Sequence, residues 1–326
     1  MLRVFLLFLL LATGSAHART ILHRPIELAT PSGVLYGSLL LPQSDKPVPV
    51  ALLIAGSGPT DRNGNNPAGR NDSLKRLAEA LAQRGIASVR YDKRGVAASL
   101  PAAPDERMLS VEGYVADAAA WGRKLGADPR FSRLVVIGHS EGALIASLAA
   151  EQAGAAALVS IAGSGRPIDQ VLMEQLSTRL PPPLLAFSAA LIEELKAGRT
   201  HERIPEPLVV LFRPSVQPYL ISLFRQDPAA AFARLRIPAL IVQGRHDIQV
   251  GMKDAEALKT AKPDAELLAI DGMNHVLRIV PADAQRQLPS YDKPELPLAS
   301  ALGQAIGDFI LRDEQPSAPG HQGSNN

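Results

Sequence analysis

The pentapeptide Gly138-His139-Ser140-Glu141-Gly142 limits what this chain can fold into more than any other stretch. The apolar run Leu134-Val135-Val136-Ile137 precedes it, and the helix-forming run Ala143-Leu144-Ile145-Ala146-Ser147-Leu148-Ala149-Ala150 follows. That order predicts a strand, a sharp turn and a helix, with a serine at the tip. Such a turn drives the serine into a strained backbone conformation. Glycines two before and two after it let strand and helix approach closely. The hydroxyl is then lifted clear of the sheet edge. The next backbone N–H starts a helix, where developing negative charge is stabilised. The five-residue pattern is common; its flanks make it informative.

The rest of the chain alternates apolar runs with amphipathic stretches. Residues 24–41 read as a β-hairpin around Pro31-Ser32-Gly33. Residues 48–55 are continuously apolar, the mark of a strand buried on both faces, and run into a glycine-rich loop at 56–64. A helix is expected over 73–84, with Leu74, Leu77, Ala78, Leu81 and Ala82 on one face and Asp72 placed to cap it. Further strands are expected at 87–91 and 157–162, with a helix over 111–125 between them. This rhythm implies an α/β fold: a mostly parallel sheet, flanked by helices, with right-handed crossovers. From 166 to 236 the rhythm breaks into helical stretches (168–180, 184–197, 216–224 and 228–235), with 208–212 the one candidate strand. The segment is too long for a loop and too helical for another sheet repeat. It reads as a helical cap, 166–236, inserted into a core made of 19–165 and 237–312. A strand at 239–242, a helix at 253–260, a strand at 266–270 and a helix at 298–311 complete the core. The polar tail 313–326 reads as disordered.

Composition excludes several function classes. The 34 Lys and Arg against 32 Asp and Glu leave a net charge of +2. The basic residues are scattered, so no patch suited to nucleic acid arises. There are no cysteines, which rules out disulfides, thiolate metal sites and lipoprotein acylation. At the N-terminus, Arg3, an apolar run over 4–12 and Ala16-His17-Ala18 read as a secretory signal peptide, 1–18, cleaved after Ala18. The alternative is an uncleaved anchor, but the run is much shorter than the ~20 residues a spanning helix needs. The expectation is an exported protein, periplasmic or secreted, with no membrane span once the leader is removed.

Functional side chains on open parallel sheets collect at the carboxyl ends of strands. Three residues of complementary chemistry fall there: Ser140, Asp247 and His275. A serine hydroxyl is a weak nucleophile and needs a base. A histidine base needs a carboxylate to hold its tautomer and stabilise the imidazolium. An oxyanion needs donors; the N–H of Glu141 is one, and Ser57 in the loop after the 48–55 strand is the most plausible second. Each residue has a plainer reading. Ser140 could be an ordinary helix N-cap, Asp247 a turn residue and His275 a loop histidine. Asp271, four residues before His275, is the rival acid. Asp92, beside Lys93 and Arg94, reads as part of a structural ion pair. His139 is expected to face away from the hydroxyl, and His246 to be unable to reach it. Asp61 and Arg62 either line the pocket or tie down their loop. No histidines and carboxylates recur at metal-ligand spacing, and neither a dinucleotide fingerprint nor a phosphate loop is complete, so chemistry without a metal or cofactor is expected.

With these motifs in hand, the chain resembles the α/β-hydrolase superfamily over about 24–311. The resemblance is carried by Gly138 to Gly142, the loop Ala55-Gly56-Ser57-Gly58-Pro59-Thr60-Asp61-Arg62-Asn63-Gly64, Arg90-Tyr91-Asp92-Lys93-Arg94-Gly95, Gln243-Gly244-Arg245-His246-Asp247 and Met273-Asn274-His275. It is similar to exported bacterial esterases grouped with serine aminopeptidase-like hydrolases. Members usually begin the oxyanion loop with His-Gly; here Ala55 stands in the histidine's place. The resemblance implies Ser140 as nucleophile, Asp247 as acid, His275 as base, and the N–H groups of Ser57 and Glu141 as the oxyanion hole. The expected partner is a small-molecule ester of small to medium size, with a peptide or amide as the alternative substrate. A non-catalytic binding protein on the same fold is the third reading, because a scaffold does not fix a reaction.

Overall fold

The computed structural model describes residues 20–312, so the expected leader 1–18 and tail 313–326 lie outside the described residues. Eight strands form one sheet in the order β1-β2-β4-β3-β5-β6-β7-β8. Strands β1 (Ile21–Thr30) and β2 (Gly33–Pro42) are the expected hairpin, with Thr30 opposite Gly33 across a two-residue connection. β2 pairs antiparallel with β4 (Ala87–Tyr91). The remaining ladders, through β3 (Val48–Ile54), β5 (Phe131–His139), β6 (Ala157–Ile161), β7 (Ala239–Gly244) and β8 (Glu266–Ile270), are parallel. The sheet is therefore mostly parallel with an antiparallel edge.

The continuous apolar runs have a direct packing cause. In β3, Val50, Leu52 and Ile54 join one core cluster, while Ala51 and Leu53 join the cluster on the opposite face. In β5, Leu134 and Val136 go one way, Val135 and Ile137 the other. Alternation sends side chains to both faces, and helices cover both. One face packs on α2 (Val111–Gly126) and α3 (Glu141–Ala153) through Val111, Ala118, Trp121, Leu144 and Ile145. The other packs on α1 (Ser73–Gln83) and the C-terminal helix (Ser300–Leu311) through Leu74, Leu77, Leu81, Leu302 and Ile306. From β3 the chain steps to β4 on one side and later returns to β5 on the other. This reversal of strand order falls between β3 and β5, and open α/β sheets bind ligands beyond the carboxyl ends of the strands at such a point.

Between β6 and β7 run helices α4 (Ile168–Ser177), α5 (Pro182–Lys196), α6 (Val209–Phe212), α7 (Gln217–Phe224) and α8 (Pro228–Ala233). Leu176, Leu191, Ile192, Leu195, Leu208, Phe212 and Phe224 pack into a cluster of their own there. Residues 208–212 are not the candidate strand. A 3-10 turn at Glu206–Leu208 passes into α6, burying Leu208 and Phe212 on one face while Val210 is 78% exposed. Burial at i and i+4 with exposure between is a helical pattern, which a five-residue apolar run does not reveal on its own.

Asp72 also departs from expectation. It precedes α1 at φ 53° but makes no capping bond. The loop before the helix does that work: the Leu74 N–H donates to the Asn63 carbonyl (3.0 Å) and the Ser73 N–H to Asn71 Oδ1 (3.0 Å). With those orphan donors satisfied, the Asp72 carboxylate turns to Asn65 Nδ2 (2.7 Å) and Arg70 (3.4 Å). Among the described residues, no single helix is long and apolar enough to cross a membrane.

Candidate active site

Ser140 stands between β5 and α3 at φ 56° and ψ −125°, a conformation that side-chain-bearing residues rarely adopt. Its surroundings enforce that geometry. A Cβ on Gly138 would come within 2.2 Å of the Gly142 carbonyl oxygen, and one on Gly142 within 2.2 Å of the Ile54 carbonyl oxygen. No residue but glycine fits either position while strand, turn and helix keep this spacing. The Ser140 N–H donates to the Ile161 carbonyl (2.9 Å), which ties the turn to β6.

Asp247 follows β7, and His275 lies in the loop after β8. Asp247 Oδ2 is 2.8 Å from His275 Nδ1, with the carboxylate side chain fully buried and the imidazole 7% exposed. Asp247 Oδ1 accepts the N–H groups of Gln249 (2.8 Å) and Val250 (3.0 Å). Burial alone would raise this carboxyl. The His275 ring and the two backbone donors outweigh it and hold the acid below its ordinary range. The histidine loop is itself braced: buried Asn274 donates to Ser290 Oγ (2.8 Å) and accepts the Arg278 N–H (3.0 Å).

Asp271 is not brought to His275. Its side chain is 91% exposed and pairs with Arg245 Nε at 2.8 Å. His246 Nδ1 is occupied by the Val280 carbonyl at 2.7 Å. Asp92 is in an ion pair, but with Arg62 (2.6 Å) rather than with its chain neighbours. Arg94 pairs instead with Asp117, and buried Lys93 donates to the Gly56 carbonyl. Asp61 accepts the N–H groups of Asn63 and Asn65, so Asp61 and Arg62 tie down their loop. Ser57 is exposed just past β3. The preceding Gly56 lies against the Ser140 turn, since a Cβ there would sit 3.1 Å from Ser140 Cβ. The Ser57 N–H meets no acceptor among the described residues. The Glu141 N–H is the first of α3 and has no partner within the helix. Among the described residues, no three His, Asp or Glu side chains gather as a metal site would require.

His139 is a contributor that sequence spacing does not reveal. Its Nε2 is 2.8 Å from the His275 carbonyl oxygen, and the two rings stand 4.9 Å apart. Burial first, and then the neighbouring His275, push the His139 imidazole down to about 4 from 6.5. A neutral ring facing a carbonyl carries its proton on the facing nitrogen, so Nε2–H donates and steadies the His275 backbone. The shift has a stability consequence. Between pH 6.5 and about 4 the unfolded chain binds this proton and the folded chain does not. Stability therefore falls as pH falls through that window, by on the order of 3 kcal/mol in full. Urea melts at pH 7 and 4.5 should show this loss in the wild type. It should shrink by most of that amount in His139→Gln, which has no proton to gain; equal losses in both proteins would refute the assignment.

The family model for serine aminopeptidase, S33 (Hydrolase_4) matches residues 69–279. Esterase EstD of Thermotoga maritima is 32% identical over 250 residues, covering 74% of this chain and 58% of the relative. The chain thus spans a little under three fifths of that relative's length. Among solved structures, Est1E of Butyrivibrio proteoclasticus with bound ferulic acid superposes with a TM-score of 0.59 at 16% identity, covering 88% of this chain and 98% of that one. The esterase domain of a Rhodothermus marinus protein gives 0.55 at 19% identity, covering 89% and 98%. At such identities the structural likeness speaks to the fold, which is the expected one. The chain has the α/β-hydrolase fold and belongs to the serine aminopeptidase S33 family.

Proposed function

We propose that the protein is a serine hydrolase that cleaves carboxylic esters of small to medium size through an acyl-enzyme. The observation that carries this reading is the 2.8 Å contact between Asp247 Oδ2 and His275 Nδ1 at the strand ends that also bear Ser140. In this mechanism, Ser140 Oγ attacks the ester carbonyl while His275 Nε2 takes its proton. Asp247 keeps the other ring proton on Nδ1 and stabilises the imidazolium. The N–H groups of Ser57 and Glu141 hold the oxyanion, the second with help from the positive end of α3. Collapse expels the alcohol, which leaves with the proton from His275. A water then gives a proton to the same nitrogen and attacks the acyl carbon, releasing the acid and restoring Ser140. General-base assistance contributes about 10²–10⁴ in rate, and each oxyanion donor about 10²–10³. No step calls for a cofactor.

The ester preference is supported by the leucine, alanine and phenylalanine content of the helical segment 166–236, read as a cap, which suits an apolar acyl or alcohol group. The relative named as an esterase points the same way. The family's description favours an aminopeptidase as the second reading. That activity requires an acidic group to hold a free amine. Glu193, Glu194 and Glu202 are the candidates in this segment: Glu193 and Glu194 of α5 are already paired with Lys196 and Arg199, and Glu202 is exposed. The test is a panel of p-nitrophenyl acetate, butyrate and octanoate beside aminoacyl-p-nitroanilides. Turnover of the esters, strongest at acetate or butyrate, is expected. Turnover of the anilides alone would overturn the ester reading. Failure of every substrate together with no fluorophosphonate labelling would favour a binding protein.

A further inference from the structure

Lys93 is a buried charge that the mechanism above does not use. It lies two residues past the end of β4, is 1% exposed and, among the described residues, pairs with no carboxylate in a salt bridge. Its ammonium donates to the Gly56 carbonyl oxygen and stands 5.1 Å from the centroid of the Tyr114 ring. Burial pushes its pKa down, opposed in part by the charge of Glu141. Removing an ammonium from water is costly without a carboxylate partner. A neutral side chain would fill this space at lower cost if packing were the only need.

The Gly56 carbonyl belongs to the same peptide unit as the Ser57 N–H. No described peptide bond is cis, so the unit is trans, and its C=O and N–H lie in one rigid plane and point in opposite directions. The carbonyl side is taken by Lys93. The N–H side has no acceptor among the described residues, and Gly56 itself abuts Ser140. Donation to an amide oxygen also polarises that amide and strengthens its N–H as a donor.

We propose that Lys93 is a positioning residue for the oxyanion hole: by pinning and polarising the Gly56 carbonyl, it aims the Ser57 N–H at the oxygen that becomes negative in the transition state. This rests on the reading of Ser57 and Ser140 given above. A buried lysine with a purely structural role would change stability, or KM and kcat together. A residue that aims an oxyanion donor acts on the transition state and leaves ground-state binding alone.

The experiment compares wild type, Lys93→Gln, which keeps a neutral donor, and Lys93→Met, which keeps the volume without one. Each is assayed for p-nitrophenyl butyrate turnover and for inhibition by an alkyl trifluoromethyl ketone, whose serine adduct carries an oxyanion. Loss of a whole oxyanion donor costs about 10²–10³ in kcat, so a loosened one should cost roughly 10–100-fold in Lys93→Met and less in Lys93→Gln. KM should stay within about twofold, and the inhibition constant should rise by the same factor by which kcat falls. A folded Lys93→Met with wild-type kcat and inhibition, or a change confined to KM and melting temperature, overturns the proposal. If Lys93→Met does not fold, Lys93→Leu, which also lacks a donor, takes its place, and wild-type kcat and inhibition there overturn the proposal in the same way. Ser140→Ala, run alongside, separates the two ideas. Turnover surviving in that variant would remove the underlying site reading, whatever Lys93 does.

Discussion

Ser140→Ala is expected to reduce p-nitrophenyl butyrate hydrolysis by about 10⁴–10⁶-fold in kcat, leaving a fold that melts at or near the wild-type temperature. The size follows from what remains. Without the hydroxyl there is no covalent intermediate, and His275 and the oxyanion donors can only assist water. The companion variant Ser140→Gly should be equally inactive yet more stable. A side-chain-bearing residue at φ 56° and ψ −125° costs on the order of 1–3 kcal/mol, which glycine does not pay. Glycine's greater freedom in the unfolded chain returns about 0.5–1 kcal/mol of that. The net expectation is a gain of roughly 1 kcal/mol in urea melts. Wild-type turnover in Ser140→Ala would move the nucleophile elsewhere. Loss of stability in Ser140→Gly would mean that the elbow stores no strain.

The parts of this molecule that sequence makes legible are those fixed by local periodicity. β3 and residues 134–137 of β5 read as strands because side chains alternating to two helix-covered faces are apolar in succession. Gly138 and Gly142 read as a close approach because nothing larger fits there. Ser140, Asp247 and His275 stand out because each lies at a strand end and brings a different chemistry. What stayed hidden depends on distant partners. The Lys93 ammonium finds a carbonyl 37 residues earlier in the chain, and Arg62 finds Asp92 at a separation of 30. No spacing rule encodes such pairings. Asp72 has the composition of an N-cap, yet loop carbonyl and amide groups reach the helix start first. At 208–212 the apolar run is too short to distinguish a strand from a single helical turn.

The choice between two aspartates gives the other large effect. Asp247→Asn should lower kcat by roughly 10³–10⁴-fold, whereas Asp271→Asn should stay within about twofold of wild type. The direction follows from the hydrogen bonds around Asp247. Its Oδ1 accepts two backbone N–H groups, from Gln249 and Val250. An asparagine placed there must keep its carbonyl oxygen on those donors, because its NH₂ group would meet them donor to donor. The NH₂ group then faces His275 Nδ1, the position that Oδ2 holds at 2.8 Å. A donor at that point forces Nδ1 to accept, so the ring proton moves to Nε2, and the nitrogen that should take the serine proton is already protonated. Gln243 Nε2, 3.4 Å from Oδ2, adds a second donor against the new amide. Fold and substrate binding are both retained in this account, so the loss should fall on kcat with little change in KM. At Asp271 the substitution removes only an exposed ion pair with Arg245, worth about 0–1 kcal/mol of stability. Measuring both variants on the same ester decides between them. Full activity in Asp247→Asn with a collapse in Asp271→Asn would require the 271 loop to swing onto His275 when substrate binds, and would transfer the orienting role to Asp271.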